Sequence, residues 1–362
     1  MSILSPATSD PEALAASIAA TVADYRAADG VSLTPEGVLA WGRQFDAGDR
    51  AAVLRETDAI LRSRYLSEAD VREWLEGIIG KIAGRAGAAS PQAFLRETAF
   101  LDLQEPGKSQ PAMLAMLDEI LRARYGMSVA ECGGGAPVRY VYLDDVLCTA
   151  NTVYYDLQGW LTATLEDGRR RIDALAPATP ILLVYAVAHR LNWHKLESRL
   201  RRLDPRAVRN LVLWHGILVE NDAGRAGAAL DFAFPRRAGQ PPEVEQYAAG
   251  LGVPVEQVFR PDALPREERL FTSPAGRDQF ERAVLAKGLE MLAAAATRKE
   301  NIRPLGFTLP SHKTLGFGAL CFTWRNVPNN SPLVFWYDSP IFKPLFPKRP
   351  APVLEFDVIA FG

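Results

Sequence analysis

From Pro11 to Gly87 apolar residues recur at every third or fourth position and no strand-like alternation interrupts them, which predicts a run of helices. Val53, Ile60, Leu61, Tyr65 and Leu66 make one stripe, and Val71, Trp74, Leu75, Ile78 and Ile79 make the next. Ser67 followed by Asp70 reads as a helix start of the capping-box type, with the shorter aspartate in the reciprocal position. The stretch Gly84–Pro91, rich in Gly, Ala and Ser, then punctuates the chain. It sets an expected boundary, with residues 1–90 as a helical N-terminal domain.

Beyond it, short apolar runs alternate with amphipathic stretches, the pattern of βαβ units. The predicted strands are Ala99–Leu103, Val138–Leu143, Ile181–Val187 and Leu211–Val219. The third has no polar residue except Tyr185, as expected of a strand covered on both faces. A helix starting near Pro111, with Met113, Leu117, Ile120 and Leu121 on one face, follows the first strand. Another, carrying Val153, Leu157, Trp160, Leu161 and Leu165, follows the second. The fold class expected over residues 91–308 is α/β, a mostly parallel, doubly wound sheet with its ligand at the carboxyl ends of the strands. Within it, Asn221–Pro265 is rich in Gly, Pro and charge and reads as an insertion, whereas Arg277–Thr297 reads as a strong helix. From Phe307 the chain turns to Pro, Asn and aromatics, with strand-like pieces at Ala319–Trp324 and Leu333–Trp336. Residues 309–362 are therefore expected to form a small hood-like α+β segment.

Composition narrows the class. The 362 residues carry 41 Lys and Arg against 43 Asp and Glu, with 48% hydrophobic and 23% charged positions, which supports a sizeable core and excludes wholesale disorder. A net charge of -2 gives no global attraction for nucleic acid, so any partner surface is local. Cys132, Cys148 and Cys321 lie far apart and form no Cys-x-x-Cys pair, which argues against a zinc ribbon or a disulfide framework. His189, His194, His215 and His312 show no metal spacing beyond the wide His189/His194 pair. The longest apolar stretch, Ile181–Ala188, is less than half a membrane span. A soluble, cytoplasmic protein without membrane contact is expected.

The most informative stretch is Val141–Thr152: a strand ending in Asp144 and Asp145, a turn of small and hydroxyl residues, then an amphipathic helix. A helix beginning at that turn presents unpaired N–H groups and the positive end of its dipole, a natural seat for phosphate. The Thr149 and Thr152 hydroxyls add donors, and Ala150 stays small where the backbone approaches a ligand. Two adjacent carboxylates accept hydrogen bonds from two neighbouring sugar hydroxyls. Together these features suit a ribose held by its hydroxyls at one end and its 5-phosphate at the other.

These twelve residues resemble the phosphoribosyl pyrophosphate (PRPP) signature of the type I phosphoribosyltransferases: a hydrophobic strand, two acids, three variable positions and a Thr-Gly-x-Thr-like turn. The departures are Cys148, Ala150 and Asn151, where that family often has Thr, Gly and Gly. The resemblance implies a phosphoribosyltransferase-type sheet and an enzyme of the glycosyltransferase class. It implies that Asp144 and Asp145 hold the ribose 2- and 3-hydroxyls and steady an oxocarbenium-like centre, and that Cys148, Thr149, Ala150, Asn151 and Thr152 cradle the 5-phosphate. It further implies Mg²⁺ carried on PRPP or pyrophosphate, with no direct protein ligand needed. Such enzymes hold pyrophosphate on a second loop after an earlier strand, and Glu105–Ser109 stands in that place, making Gly107, Lys108 and Ser109 the candidates. A P-loop reading of Gly107-Lys108-Ser109 fails, because the glycine it needs five residues earlier is Asp102.

A second resemblance covers more of the chain. Trp41-Gly42-Arg43-Gln44-Phe45, Leu315-Gly316-Phe317-Gly318, Val327–Pro332, Phe335-Trp336 and Pro344–Lys348 look like a phosphoribosyltransferase-like family associated with bacterial conflict systems. It implies anti-phage defence, with a partner protein encoded alongside. Asn329, Asn330 and Trp336 are weaker candidates for a hood over a base.

Plainer readings stand beside these. Asp, Thr and Asn are favoured at strand ends and helix caps in any case, Lys108 and Ser109 suit a solvated loop, and Asn-rich turns form for backbone reasons. Cys148 near a helix start is either thiolate-prone or a small filler in a tight turn. Tyr142-Leu143-Asp144-Asp145 also matches the metal-binding tetrapeptide of reverse transcriptases, which requires a second hairpin strand where Val153–Leu165 has helical period. Residues 189–209 hold seven Lys or Arg against Glu197 and Asp204, a solvated helical face or a contact for protein or nucleic acid. Binding of PRPP or a nucleotide without turnover, as a sensing module that docks a partner, remains the competing function.

Overall fold

A computed structural model of the chain describes residues 10–224, 229–295, 299–309 and 311–348. The N-terminal segment is helical, as its spacing predicts. Helices α1 (Pro11–Thr21), α2 (Pro35–Arg43) and α3 (Arg50–Arg64) lead into a two-residue strand, β1 (Tyr65–Leu66), and then α4 (Glu68–Arg85). The capping box forms: the Asp70 amide donates to Ser67 Oγ at 3.1 Å, and the Ser67 amide donates to Asp70 Oδ2 at 2.9 Å. Two donors are thereby satisfied, the cap being worth about 1 kcal/mol. A short helix, α5 (Pro91–Arg96), brings the chain to the sheet.

The sheet comprises β2 (Thr98–Phe100), β3 (Arg139–Leu147), β4 (Ile181–His189) and β5 (Leu211–Val219), all parallel and standing in chain order. Helix α6 (Ser109–Tyr125) joins β2 to β3; α7 (Asn151–Thr162) and α8 (Arg171–Ala174) join β3 to β4; α9 (Arg190–Leu203) joins β4 to β5. The two-residue period of β3 divides the core. Val141 and Leu143 pack with α6 and the N-terminal helices, whereas Tyr142 packs with Leu157, Trp160, Leu196 and Leu200 of α7 and α9. Helices thus cover both faces, and every residue of β4 is buried between them. The expected insertion Asn221–Pro265 contains α10 (Pro242–Ala249), and its Val244, Ala248, Val258 and Phe259 join the core that receives α11 (Pro274–Ala293). Thr297, the expected end of that helix, lies outside the described residues, as does the C-terminal segment beyond Lys348.

Two strand expectations need correction near the C-terminus. Of Ala319–Trp324, only β6 (Phe322–Thr323) is strand, pairing in parallel with β1 through Tyr65↔Phe322 and Leu66↔Thr323. Leu333–Trp336 is a helical turn, α12, with all four residues buried. A four-residue apolar run fits either period, and the Phe335 amide bonding back to the Pro332 carbonyl at 3.1 Å decides for the turn. Helix α2 and the segment 334–343 share a core here. Trp41 Nε1 donates to the Val334 carbonyl at 3.0 Å, Phe45 meets Phe342 edge-on at 5.4 Å, and Gln44 exchanges two hydrogen bonds with the Lys343 backbone. This packing anchors residues 326–330 beside the carboxyl end of the sheet.

Candidate active site

Strand β3 does not stop at Leu143 as predicted; it runs through both acids to Leu147, held in register with β4 through Asp144↔Tyr185 and Leu147↔Ala188. Pairing with a buried neighbour overrides the low strand preference of aspartate. Asp144 and Asp145 are each only 6% exposed. Their burial is partly compensated by local donors: the Asp145 amide reaches Asp144 Oδ1 at 2.9 Å, the Val146 amide reaches Asp145 Oδ1 at 2.6 Å, and Gln104 Nε2 reaches Asp144 Oδ2 at 3.0 Å. Burial, reinforced by the neighbouring Asp145 charge, pushes Asp144 up to about 7, against the opposing pull of Ser109 and Gln104. Burial also raises Asp145, while the Arg325 charge draws it back.

The turn after β3 is strained at the alanine that the sequence singled out only for its size. Ala150 sits at φ 59 and ψ 17 as the N-cap of α7, in the left-handed region that glycine adopts freely and alanine pays for. No side chain caps α7, and none caps α6, whose N-cap is Lys108. The starts of α3, α9 and α10 lack a side-chain cap as well, whereas Asp10, Thr34, Ser67, Ser90 and Ser273 cap their helices with side-chain oxygens. Two helix starts with open amide donors therefore border one space.

That space is a cavity of ≈ 640 Å³ at the carboxyl ends of β2 and β3. It brings together Lys108, Ser109, Asp144, Asp145, Cys148, Thr149, Ala150, Asn151, Thr152, Asn329 and Asn330. Gly107 and Trp336 do not line it. Gly107 forms the exposed turn before Lys108, at φ 88. Trp336 is drawn into the apolar core, where its indole N–H donates to the Ser331 carbonyl at 2.7 Å; the expectation of a stacking ring is corrected accordingly. Asn330 is committed to the loop, its Nδ2 donating to the Phe307 carbonyl at 2.8 Å, while the Asn329 side chain is exposed. Burial pushes the Cys148 thiol well up, so this residue is the small filler of the tight turn. The reverse-transcriptase reading falls, because α7 follows the acid pair and both neighbours of β3 are parallel.

Gln104, Glu105, Asp156, Asn326 and Lys348 also line the cavity and were not among the predicted site residues, although Glu105 and Lys348 lie in segments the sequence had marked. For Asp156 a signal existed: it lies one helical turn after Thr152, on the same face. Tyr142 Oη donates to Asp156 Oδ2 at 2.6 Å and accepts from Gln104 Nε2 at 2.7 Å, so a polar chain joins α7 to the acid pair. Among the described residues no group of three or more His, Cys, Asp or Glu is placed to hold a metal. In each of the two carboxylates one oxygen is taken by a backbone amide, and in Asp144 the other is taken by Gln104. No helix among them is long and apolar enough to cross a membrane.

Residues 38–348, from α2 to the last cavity residue, match the family model PRTase-CE. The chain belongs to the PRTase-CE family. This is a phosphoribosyltransferase-like family, in keeping with the resemblance drawn from the acid pair and the C-terminal motifs. No curated protein and no solved structure matches the chain. The PRTase-CE match takes in both uncapped helix starts, the acid pair and the Asn326–Asn330 loop, so the whole cavity falls inside it.

Proposed function

We propose that this PRTase-CE protein binds PRPP, or a ribonucleotide through its 5-phosphate, and exchanges pyrophosphate for a nucleobase or related nitrogen nucleophile at ribose C1. The observation that carries the reading is the meeting of a buried acid pair with two uncapped helix starts in one cavity. Asp144 and Asp145 accept the ribose hydroxyls, the amides and hydroxyls of Thr149–Thr152 take the 5-phosphate, and Lys108 with Ser109 takes the pyrophosphate. In the forward direction the C1–O bond to pyrophosphate breaks, a C1–N bond forms, and the nucleophile's proton passes to solvent. The buried carboxylates stabilise the cationic ribosyl centre in a site of low dielectric, where fixed charge counts for more than in water. A magnesium ion bound with PRPP would supply charge neutralisation for the leaving group. On the resemblance to conflict-system proteins, we place this activity in bacterial anti-phage defence beside a partner protein.

A second reading, binding without turnover, is favoured by the Gln104 amide, which already occupies one oxygen of Asp144. Calorimetry with PRPP and Mg²⁺, followed by a pyrophosphate-release assay across a panel of bases, separates the two. Binding with release supports transfer; binding without release supports sensing. Failure to bind either PRPP or nucleoside monophosphates removes both.

A further inference from the structure

The basic stretch 189–209 divides into two kinds of cation. At the start of α9 and in the turn after it they are neutralised: Arg190 pairs with Glu220 at 2.8 Å, and Arg206 pairs with Asp173 and Asp204 at 2.8 and 2.7 Å. In the middle, Lys195, Arg199 and Arg202 recur at helical spacing on one face and make no ion pair among the described residues. The opposite face, with Leu196 and Leu200, is buried in the core.

These three cations, with His194 and His312, line a second cavity of ≈ 340 Å³, walled on one side by Thr149 of the phosphate turn. Of the acids nearby, Glu197 meets His194 at 3.2 Å, and Asp222 acts on Lys195 only from outside ion-pair distance. The Arg199 guanidinium is preorganised: it lies 3.7 Å over the Tyr154 ring, and two of its nitrogens donate to Asn151 Oδ1 at 3.2 Å, a neutral partner that leaves its charge uncompensated. His312 carries the imprint of the field, its imidazole lowered first by burial and then by the Lys195 charge. A concave site with three unneutralised cations and no lining carboxylate selects a compact ligand carrying several negative charges.

We propose that this cavity is a second anion site, separate from the ribose-phosphate cavity, and that it takes a chain of two or more linked phosphates. Thr149 borders both sites, placing the two ligands on either side of one turn. Linked phosphates engage several cations at once, so a chain binds more tightly than single phosphates.

The test is calorimetry on the full chain with inorganic tripolyphosphate as the probe. Wild type is expected to bind it at least tenfold more tightly than inorganic phosphate, with affinity falling as salt rises. Lys195→Glu and Arg202→Glu are each expected to weaken it about tenfold or more, whereas Arg85→Glu, which lines neither cavity, leaves it within about twofold; Lys108→Glu reports any probe held in the ribose-phosphate cavity instead. Thermal melts confirm that the variants fold, and Lys195→Gln with Arg202→Gln provides a milder pair with the same expected direction. Equal binding by the Lys195 and Arg202 variants, or a loss confined to Lys108→Glu, overturns the proposal. So does a single-stranded oligonucleotide that binds where tripolyphosphate does not.

Discussion

The side-chain amide of Gln104, in the loop after β2, donates to Asp144 Oδ2 on the neighbouring strand at 3.0 Å. That loop is itself tied down, because Gln110 Oε1 at the start of α6 accepts from the backbone amides of Leu103 and Gln104 at 2.7 and 3.1 Å. The first turn of one helix thus holds in place an amide that bonds an acid on another strand.

Replacing Gln104 by Leu tests that link. The amide favours the charged form of Asp144, which already sits near 7, so its removal raises the carboxyl further. Affinity for PRPP is expected to fall at pH 7, with the midpoint of its pH dependence moving upward, measured by calorimetry between pH 6 and 9. A midpoint that does not move shows that the amide has no hold on the acid.

The acid pair also carries a stability signature. Asp144 titrates near 7 in the fold, well above a carboxyl in the unfolded chain near 4. Its contribution is therefore full below that lower value and is lost as pH rises through about 7. His189 acts in the opposite sense: burial holds its imidazole near 4 despite the bond from Nδ1–H to the Leu147 carbonyl at 2.9 Å. Its contribution is present above the unfolded imidazole value near 6.5 and is lost as pH falls toward 4. The double substitution Asp144→Asn with Asp145→Asn removes the first slope and keeps the second. It is expected to be more stable than the parent at pH 8, by on the order of a few kcal/mol, while losing PRPP binding. Urea unfolding at pH 5, 6.5 and 8 measures this; a double variant destabilised at pH 8 contradicts the assignment of the pair to ligand rather than fold.

Ala150 gives a sharper contrast. Its left-handed backbone costs about 1 kcal/mol that glycine avoids, but its methyl group is buried beside Leu147 and Val153 and contributes a similar ~0.8 kcal/mol. Ala150→Gly is therefore expected to leave stability within about 1 kcal/mol of the parent and to preserve phosphate binding. Ala150→Val keeps the strain, adds β-branching in the least suitable conformation, and fills the turn; both stability and ribose 5-phosphate binding should drop. Equal tolerance of the two would mean that the turn does not need its backbone exposed.

Much of this was legible in the chain. The buried strand at 181 and the half-buried strand at 211 announced themselves as apolar runs, and the acid pair, turn and helix formed a local sequence whose order is itself the signal. What escaped was long-range or ambiguous in period. The β1–β6 pair joins Tyr65 to Phe322 through two-residue strands too short to show alternation, and Leu333–Trp336 was too short to tell strand from turn. Trp336 was misplaced because an aromatic beside asparagines suits a stacking platform and a core equally well. Gln104 and Lys348 reach the cavity from segments whose proximity depends on the whole fold, which no spacing along the chain reveals.

A glycine outside every motif read from the sequence yields the last prediction. Gly306 has φ +102, and a Cβ placed there would stand 2.3 Å from the Asn330 carbonyl oxygen and 2.4 Å from that of Ser331, far inside any contact a real Cβ makes. The Phe307 amide bonds the Asn329 carbonyl at 2.8 Å from the adjoining position, so Gly306 sets how closely the Asn326–Asn330 loop lies against its neighbour. Gly168 has a similar φ of +81 but nothing within 4 Å of its Cβ position. Gly168→Ala therefore pays for backbone conformation alone, about 1 kcal/mol. Gly306→Ala pays that and must also displace backbone, for a further loss of roughly 2 kcal/mol or more. Because the displaced backbone carries Asn329 into the cavity wall, Gly306→Ala should weaken PRPP binding as well, and Gly168→Ala should not. Chemical unfolding of the two variants side by side, with calorimetry on each, checks both halves; similar losses in the two would show that the close approach at Gly306 relaxes at little cost and does not hold the cavity in shape.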